Sequence, residues 1–285
     1  MNFADIPDKF SSLENSKIVI LPVPYDGTST WIKGADKGPQ AIIEASANME
    51  VYDIETDTEA YLVGIHTAEP VAENRSPEQM TKAVYDRVKK YLDKNKFVVT
   101  LGGEHSVSIG AIKAHAEHFE GITVVQIDAH ADLRQEYMGS KYNHACVMAR
   151  AKELAPVVQI GVRSMSVEER SAIDGRQVFY AQNILENKTW MYDMLNEVGK
   201  NVYLTIDLDA LDPSIMPSTG TPEPGGLNWY QCVEIVKRIS EKTNIVGLDV
   251  VELCPNPTNK APDFLAAKLV YKALTYIFHE QLVAR

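Results

Sequence analysis

The sequence has few cysteines and no long apolar run, and its first residues lack the pattern expected of a secretory leader. Its three cysteines, Cys146, Cys232 and Cys254, are odd in number and widely spaced, which excludes a disulfide framework and a C-x-x-C metal site. No uninterrupted apolar run approaches the roughly 20 residues that a membrane span needs, and no basic segment precedes an apolar stretch at the start. We therefore expect a cytoplasmic protein with buried, reduced thiols and no membrane partner.

Positive charge is also scarce. The 285 residues include 28 Lys and Arg against 39 Asp and Glu, a formal net charge of −11. Because the basic residues are interspersed with acidic ones, the chain lacks the clustered basic footprint of nucleic-acid binding, and we expect no nucleic-acid partner. An acidic surface weakly favours the approach of a cationic substrate.

Eight short apolar runs alternate with amphipathic stretches of helical length along the whole chain. No Ser-, Gly- or Pro-rich linker interrupts them, so we expect one domain over residues 1–285. Continuous apolar runs are typical of strands that are buried on both faces, as in an α/β fold with a parallel sheet covered by helices. The predicted strands are residues 17–21, 61–65, 97–101, 122–128, 157–160, 177–180, 202–207 and 245–250.

Capping residues predict where several helices begin. Three pairs have the three-residue spacing of an N-cap and its reciprocal partner: Ser76 with Gln79, Ser166 with Glu169, and Asn228 with Gln231. A last helix is predicted over residues 261–282, where apolar residues recur at helical spacing. His115 and His118 lie on another predicted helix, and we expect both to face solvent.

Three predicted strands run directly into carboxylates and histidines. The motifs are GGEH at 102–105, DAHAD at 128–132 and DLD at 207–209. Because alternate residues of an extended chain point the same way, each motif is expected to aim its Asp and His side chains at one point. Ligands of parallel sheets gather beyond the carboxyl ends of the strands, so this is where we expect the chemistry.

These side chains indicate a metal centre. Each motif alone is more typical of a turn or surface loop, but four carboxylates converging without a cation would repel one another. Six side chains are too many for one tetrahedral zinc and suit two ions that share bridging carboxylates. Oxygen donors with imidazole and no thiolate favour Mn²⁺ over Fe, Co, Ni or Zn. The expected ligands are His105, Asp128, His130, Asp132, Asp207 and Asp209.

Six sequence blocks, together with PYDGT at 24–28, resemble the ureohydrolases, the arginase and agmatinase family. In chain order the blocks are GGEHS at 102–106, DAHADLR at 128–134, YNHA at 142–145, TIDLDALDPS at 205–214, TGTPEPGGL at 219–227 and DVVEL at 249–253. The resemblance implies a three-layer arginase-like α/β fold with a central parallel sheet of eight strands. It also implies two Mn²⁺ per subunit, held by the same six residues, and a homo-oligomer that is a trimer or hexamer.

The resemblance further assigns His144 as the catalytic histidine and Glu252 as the residue that contacts a guanidinium. A guanidinium stays protonated at neutral pH and is a poor electrophile, so its hydrolysis needs a strong nucleophile. Hydroxide bridging two metal ions is one, because metal coordination lowers the pKa of water to roughly 7. We expect His144 to serve as general acid or proton shuttle for the leaving amine.

The substrate is predicted from the segment after the metal motif. Where arginases carry an Asn- and hydroxyl-rich loop for an α-carboxylate, this chain has LRQEY at 133–137, which resembles agmatinases. We therefore predict hydrolysis of agmatine to putrescine and urea, a step of polyamine biosynthesis. Guanidinobutyrate, aminopropylagmatine and arginine remain alternatives, because Arg134 can meet a carboxylate and Asn143 departs from the more usual Ser.

Two further alternatives come from other classes of protein. A deacetylase-like amidohydrolase shares the broad fold but uses one metal ion and fewer ligands. A metal-stabilised scaffold without activity needs the ligands but neither His144 nor Glu252. The Gly- and Pro-rich segment 219–226 is expected to form a wall of the site, with Thr221 as a candidate for supporting the metal ligands.

Overall fold

A parallel sheet of eight strands lies at the centre of the computed structural model, which describes residues 1–284. Its strand order is β2-β1-β3-β8-β7-β4-β5-β6, and every neighbouring pair is parallel. The strands are β1 Ile18–Val23, β2 Ile65–Thr67, β3 Phe97–Gly102, β4 Ile122–Ile127, β5 Val157–Ile160, β6 Val178–Phe179, β7 Asn201–Asp207 and β8 Asn244–Val251.

Helices connect the strands and cover both faces of the sheet. The α-helices are α1 Asp8–Ser11, α2 Gly38–Ser46, α3 Pro77–Leu92, α4 Val107–His118, α5 Val147–Ala151, α6 Ala181–Glu186, α7 Trp190–Glu197, α8 Trp229–Lys242, α9 Ala261–Ile277 and α10 His279–Val283. Single 3₁₀ turns lie at Phe3–Asp5, Ala35–Lys37, Ala60–Val63, His144–Cys146, Glu169–Ala172 and Leu208–Ala210.

The pleat of the strands divides the core in two. Ile18 and Ile20 of β1 belong to one apolar cluster, which α2, α8 and α9 cover, whereas Val19 and Leu21 belong to a second cluster under α3, α4 and α5. Alternate residues of a strand point to opposite faces, so a strand such as β1 contributes to both layers. The α/β fold with three layers and eight parallel strands, predicted from the sequence, is confirmed.

Two predicted elements are wrong in their bounds. Residues 60–63 form a 3₁₀ turn, and the strand there is Ile65–Thr67, because Gly64 breaks the extended chain at φ +83°. A Cβ at Gly64 would lie 2.6 Å from the Ser16 Cα. Any residue other than glycine would therefore be strained there, both by this contact and by the positive φ. The predicted helix 261–282 ends at Ile277, and Phe278, with φ −103° and ψ 8°, separates it from α10.

The predicted helix caps have mixed outcomes. Asn228 and Gln231 form a complete capping box, and the Ser76 hydroxyl accepts from the Gln79 N–H. Near Ser166 only half of the motif exists: the Glu169 carboxylate accepts from the Ser166 N–H at 2.7 Å, and a single 3₁₀ turn follows.

The structure bears on the expected burial of the cysteines and on the expected exposure of two histidines. Cys146 and Cys232 are buried free thiols, but Cys254 is only partly buried. His118 is exposed, whereas the solvent-facing prediction for His115 is wrong, because His115 is completely buried between α4 and the sheet. Within residues 1–284, every helix is too short or too polar to cross a membrane.

The strand order brings four strand ends together in the middle of the sheet. The chain passes from β3 to β4 across a gap that β7 and β8 later fill, which gives the central order β3-β8-β7-β4. Leu101 pairs with Val250, Asp207 with Val251, and Ile127 with Ile206, so the four strands end almost level. Side chains that follow these strands therefore converge on one edge of the sheet.

Candidate active site

A close backbone contact positions the segment after β3. The Gly103 N–H donates to the Val23 carbonyl, and the Glu104 N–H donates to the Tyr25 carbonyl, each at 2.9 Å. A Cβ at Gly103 would lie 2.0 Å from the Tyr25 oxygen, so only glycine allows this approach. The contact carries the chain over the end of the sheet and places His105 at the convergence point.

The motifs after β4 and β7 converge through bends rather than through simple alternation. Asp132 has left-handed backbone at φ 52°, and its carbonyl accepts from the N–H groups of Met148 and Ala149. Asp209 lies in the 3₁₀ turn Leu208–Ala210, where its N–H donates to the Asp207 carboxylate at 2.8 Å. Asp is one of the residues that tolerate such conformations.

A first group of potential metal ligands surrounds the His105 ring. Its Nδ1 lies 2.9 Å from an Asp132 carboxylate oxygen, 3.1 Å from one of Asp128 and 3.4 Å from one of Asp207. His105 and Asp128 are almost completely buried, and the two Asp oxygens nearest to Nδ1 lie within 4.8 Å of each other and of the ring nitrogen. Such a set of donors fits a cation.

A second group shares Asp128 with the first. The His130 Nδ1 lies 2.9 Å from Asp209 Oδ2 and 3.6 Å from Asp128 Oδ1. The other Asp128 oxygen, Oδ2, is the one that faces His105. One carboxylate with its two oxygens turned toward different histidines is the arrangement of a bridging ligand between two ions.

Hydrogen bonds behind His105 determine which ring nitrogen faces the carboxylates. The Thr205 hydroxyl donates to Asp249 at 2.6 Å, so its oxygen accepts from the His105 Nε2–H at 2.9 Å. Because Nε2 is engaged by Thr205, Nδ1 is the ring nitrogen that faces the three carboxylates. Nδ1 is buried and has no hydrogen-bond partner among residues 1–284, which is the environment of a metal ligand.

The electrostatics of the cluster favour added positive charge. Burial raises the pKa of Asp132 to about 7 and also raises the pKa of Asp207. Burial alone would lower the pKa of His130, but the nearby Asp209 and Asp128 carboxylates outweigh it and raise that pKa to about 12. Because the site holds protons this strongly, the residues fit divalent cations, which neutralise the same carboxylates.

His144 and Glu252 line the same cavity, which has a volume of about 190 Å³. Glu252 follows β8 in left-handed backbone at φ 68°, and its carboxylate accepts from the His105 N–H at 2.8 Å. A strained conformation of this kind persists only where the surroundings enforce it, here through the Glu252 N–H bond to the Gly103 carbonyl. Burial raises the pKa of Glu252, and the neighbouring Glu104 carboxylate adds to the shift.

Two of the three other predicted site residues line the cavity, and the third does not. Arg134 lines the cavity, stacks on the Tyr137 ring at 4.7 Å and forms an ion pair with Glu168 at 3.5 Å. Thr221 also lines the cavity. Asn143 is buried instead, where its side chain accepts from the Ala145 N–H and caps the turn that carries the catalytic-histidine candidate.

Sequence reasoning missed several residues that support the site. Arg163 is the clearest: its guanidinium donates four hydrogen bonds to carbonyl groups of the Asp209 turn and the segment 219–226, and a fifth to the Gly161 carbonyl. Glu169 lines the cavity with both carboxylate oxygens engaged by backbone N–H groups. Thr205 and Asp249 were inside recognised blocks, but no spacing rule relates them to His105, which is distant in sequence.

Comparison with known proteins agrees with this geometry. A sequence profile described as Arginase family matches residues 16–275, which is most of the chain. The chain belongs to the arginase family. Among its relatives is an N(1)-aminopropylagmatine ureohydrolase of Synechocystis sp., 38% identical over 94% of this chain and 92% of the relative. A protein of the same name from Thermus thermophilus is also 38% identical, with the same coverage of both chains.

A solved structure is also similar to this chain along almost its whole length. The agmatine ureohydrolase of Thermoplasma volcanium is 31% identical to this arginase-family chain and superimposes with a TM-score of 0.89. The similarity covers 99% of this chain and 96% of that one. The relatives thus carry two substrate names, which differ by an aminopropyl group on the amine end.

Proposed function

We propose that this arginase-family chain acts as one catalytic domain that hydrolyses the guanidinium of an amine-tailed substrate at a centre of two Mn²⁺ ions. Agmatine, giving putrescine and urea, is the substrate that we predict first. The observation that carries the proposal is the pair of histidine–carboxylate groups that share Asp128, because a single-metal hydrolase does not need the second group.

The residues of the first group would hold one ion and those of the second group the other, with Asp128 between them. Ions bound there would supply activated water at neutral pH, since a divalent metal lowers the pKa of water from 15.7 to roughly 7. Mn²⁺ suits a set of four carboxylates and two imidazoles better than thiolate-seeking metals do. The remaining steps depend on residues of the chain itself.

Glu252 is proposed to bind the guanidinium. Its carboxylate is buried at the cavity wall, and burial makes an uncompensated negative charge there unfavourable. A planar guanidinium offers paired N–H donors to a carboxylate and removes that cost. The left-handed backbone at Glu252 and its bond to the His105 N–H hold the carboxylate in place before the substrate arrives.

His144 is proposed to move the proton that hydrolysis requires. Water adds across the C–N bond, the oxygen stays on the carbon of urea, and the amine nitrogen leaves with an added proton. Burial lowers the pKa of the His144 imidazole to about 4, so the ring is neutral at pH 7 and can take a proton from the attacking water. The same ring then passes that proton to the leaving nitrogen.

The charges at the cavity favour a substrate tail without a carboxylate. Arg134 is the only Arg or Lys among the described residues that line the cavity, and Glu168 and the Tyr137 ring already engage its guanidinium. If two divalent ions neutralise the four metal-ligand aspartates and Glu252 pairs with the guanidinium, Glu169 balances the charge of Arg134. No unpaired cation is then left for a substrate carboxylate, which favours a tail without one.

N1-aminopropylagmatine is the second candidate substrate. The relatives at 38% identity carry that name, whereas the solved agmatine ureohydrolase is 31% identical. The longer substrate has one more positive charge. That charge suits the exposed carboxylate of Glu168, which lies beside the cavity-lining Arg134.

The test is urea release by Mn²⁺-loaded protein from agmatine, N1-aminopropylagmatine, arginine and guanidinobutyrate, with metal-stripped protein as the control. We expect kcat/KM for an amine-tailed guanidine to exceed that for either carboxylated one by roughly a hundredfold or more, because their carboxylate would lack a free cation. Preference for a carboxylated guanidine that is lost in Arg134→Gln would contradict the substrate assignment. No urea from any of the four would contradict the proposed function.

A further inference from the structure

A chain of hydrogen bonds leads away from His144 into the protein. The His144 Nδ1 lies 3.0 Å from the Thr28 hydroxyl oxygen, and the His144 backbone N–H donates to the same oxygen at 3.0 Å. The Thr28 hydroxyl in turn donates to Oε2 of Glu104 at 2.8 Å. Glu104 is completely buried, and the mechanism described above does not use it.

The donors around Glu104 decide the direction of this chain. Its Oε2 also accepts from the Ser106 N–H at 3.1 Å, and Oε1 accepts from the Ser106 hydroxyl at 2.5 Å. All these contacts are those of an acceptor, so the single Thr28 proton is committed to the carboxylate. A hydroxyl that has given its proton to Glu104 can only accept from Nδ1, which must then carry hydrogen.

We propose that Thr28 and Glu104 are positioning residues that hold His144 in the tautomer with hydrogen on Nδ1. The Nε2 lone pair is then the one available to the cavity that His144 lines. The inference deepens the proposed function and rests on it for the role of His144. It parallels the way a carboxylate behind a catalytic histidine fixes the tautomer in hydrolytic triads, with a threonine hydroxyl inserted between the two groups.

The Thr28 hydroxyl also restricts the orientation of the His144 ring. The Thr28 hydroxyl contacts both the ring and the backbone of His144, so it holds the orientation of the imidazole as well as its proton. The Tyr137 ring packs edge-on against the imidazole, with centroids 6.1 Å apart, and limits its rotation from another direction. Loss of the hydroxyl should therefore affect proton transfer more than substrate binding.

The test compares Thr28→Val with Thr28→Ser. Thr28→Val keeps the shape of the side chain but removes the hydroxyl, and we expect kcat to fall about 10- to 100-fold with KM changed less than about threefold. Thr28→Ser keeps the hydroxyl and should restore most of kcat. Thr81→Val is the matched control, because Thr81 is buried and its hydroxyl has no hydrogen-bond partner within residues 1–284.

A second readout does not require turnover. Nitrogen NMR of ¹⁵N-histidine-labelled full-length protein, with diamagnetic Zn²⁺ in place of Mn²⁺ and His144→Gln for assignment, reports which ring nitrogen carries hydrogen. We expect Nδ1–H in the wild type and in Thr28→Ser, and mixed tautomers in Thr28→Val. Hydrogen on Nε2 in the wild type, or an unchanged tautomer and kcat in Thr28→Val, would overturn the proposal.

The two readouts separate this inference from the proposed function. A protein that releases no urea but holds Nδ1–H on His144, with mixed tautomers in Thr28→Val, would contradict the proposed function and confirm the positioning. Normal urea release together with hydrogen on Nε2 would support the proposed function and contradict the positioning role of Thr28 and Glu104.

Discussion

Asp128 is the residue on which both histidine–carboxylate groups depend. Its two oxygens face His105 and His130 separately, and the Gln126 amide donates to Oδ2 at 2.6 Å. The side chain is fully buried, so its charge has no access to solvent. At the scale of single residues, this carboxylate is the proposed bridge between two ions, and Glu252 is the proposed contact for the substrate.

Asp128→Asn is expected to lose metal and urea release together. An amide brings no negative charge and only one oxygen, so it cannot bridge two ions. We expect fewer than two ions per chain by mass spectrometry of gel-filtered protein, and a loss of kcat/KM of roughly a hundredfold or more. Asp86→Asn, at an exposed ion pair on α3, is the control. Two tightly held ions with full urea release in Asp128→Asn would remove this residue from the ligand set.

Glu252→Gln is expected to weaken substrate capture while leaving the metal content unchanged. The amide oxygen can still accept from the His105 N–H, but the charge that faces the guanidinium is gone. A charge-assisted hydrogen bond contributes about 1.5–3 kcal/mol, so kcat/KM should fall about 10- to 100-fold, mainly through KM. Steady-state kinetics with agmatine and a metal assay measure this. Unchanged kinetics on every guanidine would show that Glu252 does not contact substrate.

At the scale of elements, the loop between β7 and α8 forms part of the cavity and is held by one side chain. Arg163, which follows β5, donates to the carbonyls of Glu223 and Pro224 in that loop and to those of Ala210 and of Asp209, a candidate metal ligand. A planar guanidinium with five donors can satisfy this set, and an ammonium on a flexible stem cannot. The loop is therefore fixed to the strand ends rather than free in solvent.

Arg163→Lys is expected to loosen the loop without unfolding the sheet. Loss of several charge-assisted hydrogen bonds should lower the free energy of unfolding by about 1.5–3 kcal/mol. Amide hydrogen exchange should speed up selectively in residues 219–226. The control is Arg238→Lys, because Arg238 is half-exposed and pairs with Glu234 and Glu241 on the surface of α8. Equal exchange in both variants would contradict the anchoring role.

At the scale of the whole molecule, stability depends on a histidine buried between a helix and the sheet. His115 of α4 packs on the Tyr203 ring at 4.7 Å, and its Nδ1 lies 2.8 Å from the Ala111 carbonyl. A Cβ on Gly247 of β8 would lie 2.3 Å from its Nε2, so the opposing strand has no room for a larger residue there. Burial lowers the pKa of His115 to about 4.

Acid should therefore destabilise the fold through His115. The unfolded chain takes up a proton near the ordinary pKa of about 6.5, but the folded protein does so only near pH 4. The contribution of neutral His115 to the free energy of unfolding is fully present above pH 6.5. It falls by up to about 3 kcal/mol as the pH drops toward 4. Denaturant unfolding from pH 7 to 4.5 should show a shallower loss in His115→Gln than in the wild type. His118→Gln, on the exposed side of α4, is the control, and equal slopes in wild type and His115→Gln would contradict the prediction.

The assembly of the whole chain is a separate prediction. The family resemblance implies a trimer or hexamer, and sedimentation equilibrium of the full-length protein measures the number of subunits directly. A monomer at micromolar concentration would show that the resemblance does not extend to quaternary structure.

Local sequence signals accounted for much of the fold. The bounds of β5 were predicted without error, and most other strands differ by one or two residues, because continuous apolar runs mark buried strands wherever they occur. The signal failed at the predicted strand 61–65, most of which lies in the 3₁₀ turn Ala60–Val63, and at Phe278, which interrupts an apolar pattern that continues into α10. The backbone angles of Gly64 and Phe278, and not hydrophobicity, set the boundaries of β2 and α9.

The sequence by itself determined the class of the fold and the chemical types of the candidate ligands, because burial patterns and charged strand ends are properties of short segments. Only the tertiary structure decided that β7 and β8 lie between β3 and β4, which brings His105 beside Asp207 although they are a hundred residues apart. It also decided the hydrogen-bond partners behind the histidines: Thr205 and Asp249 for His105, Thr28 and Glu104 for His144. Contacts between residues distant in sequence depend on strand order and register, which leave no periodic signal along the chain.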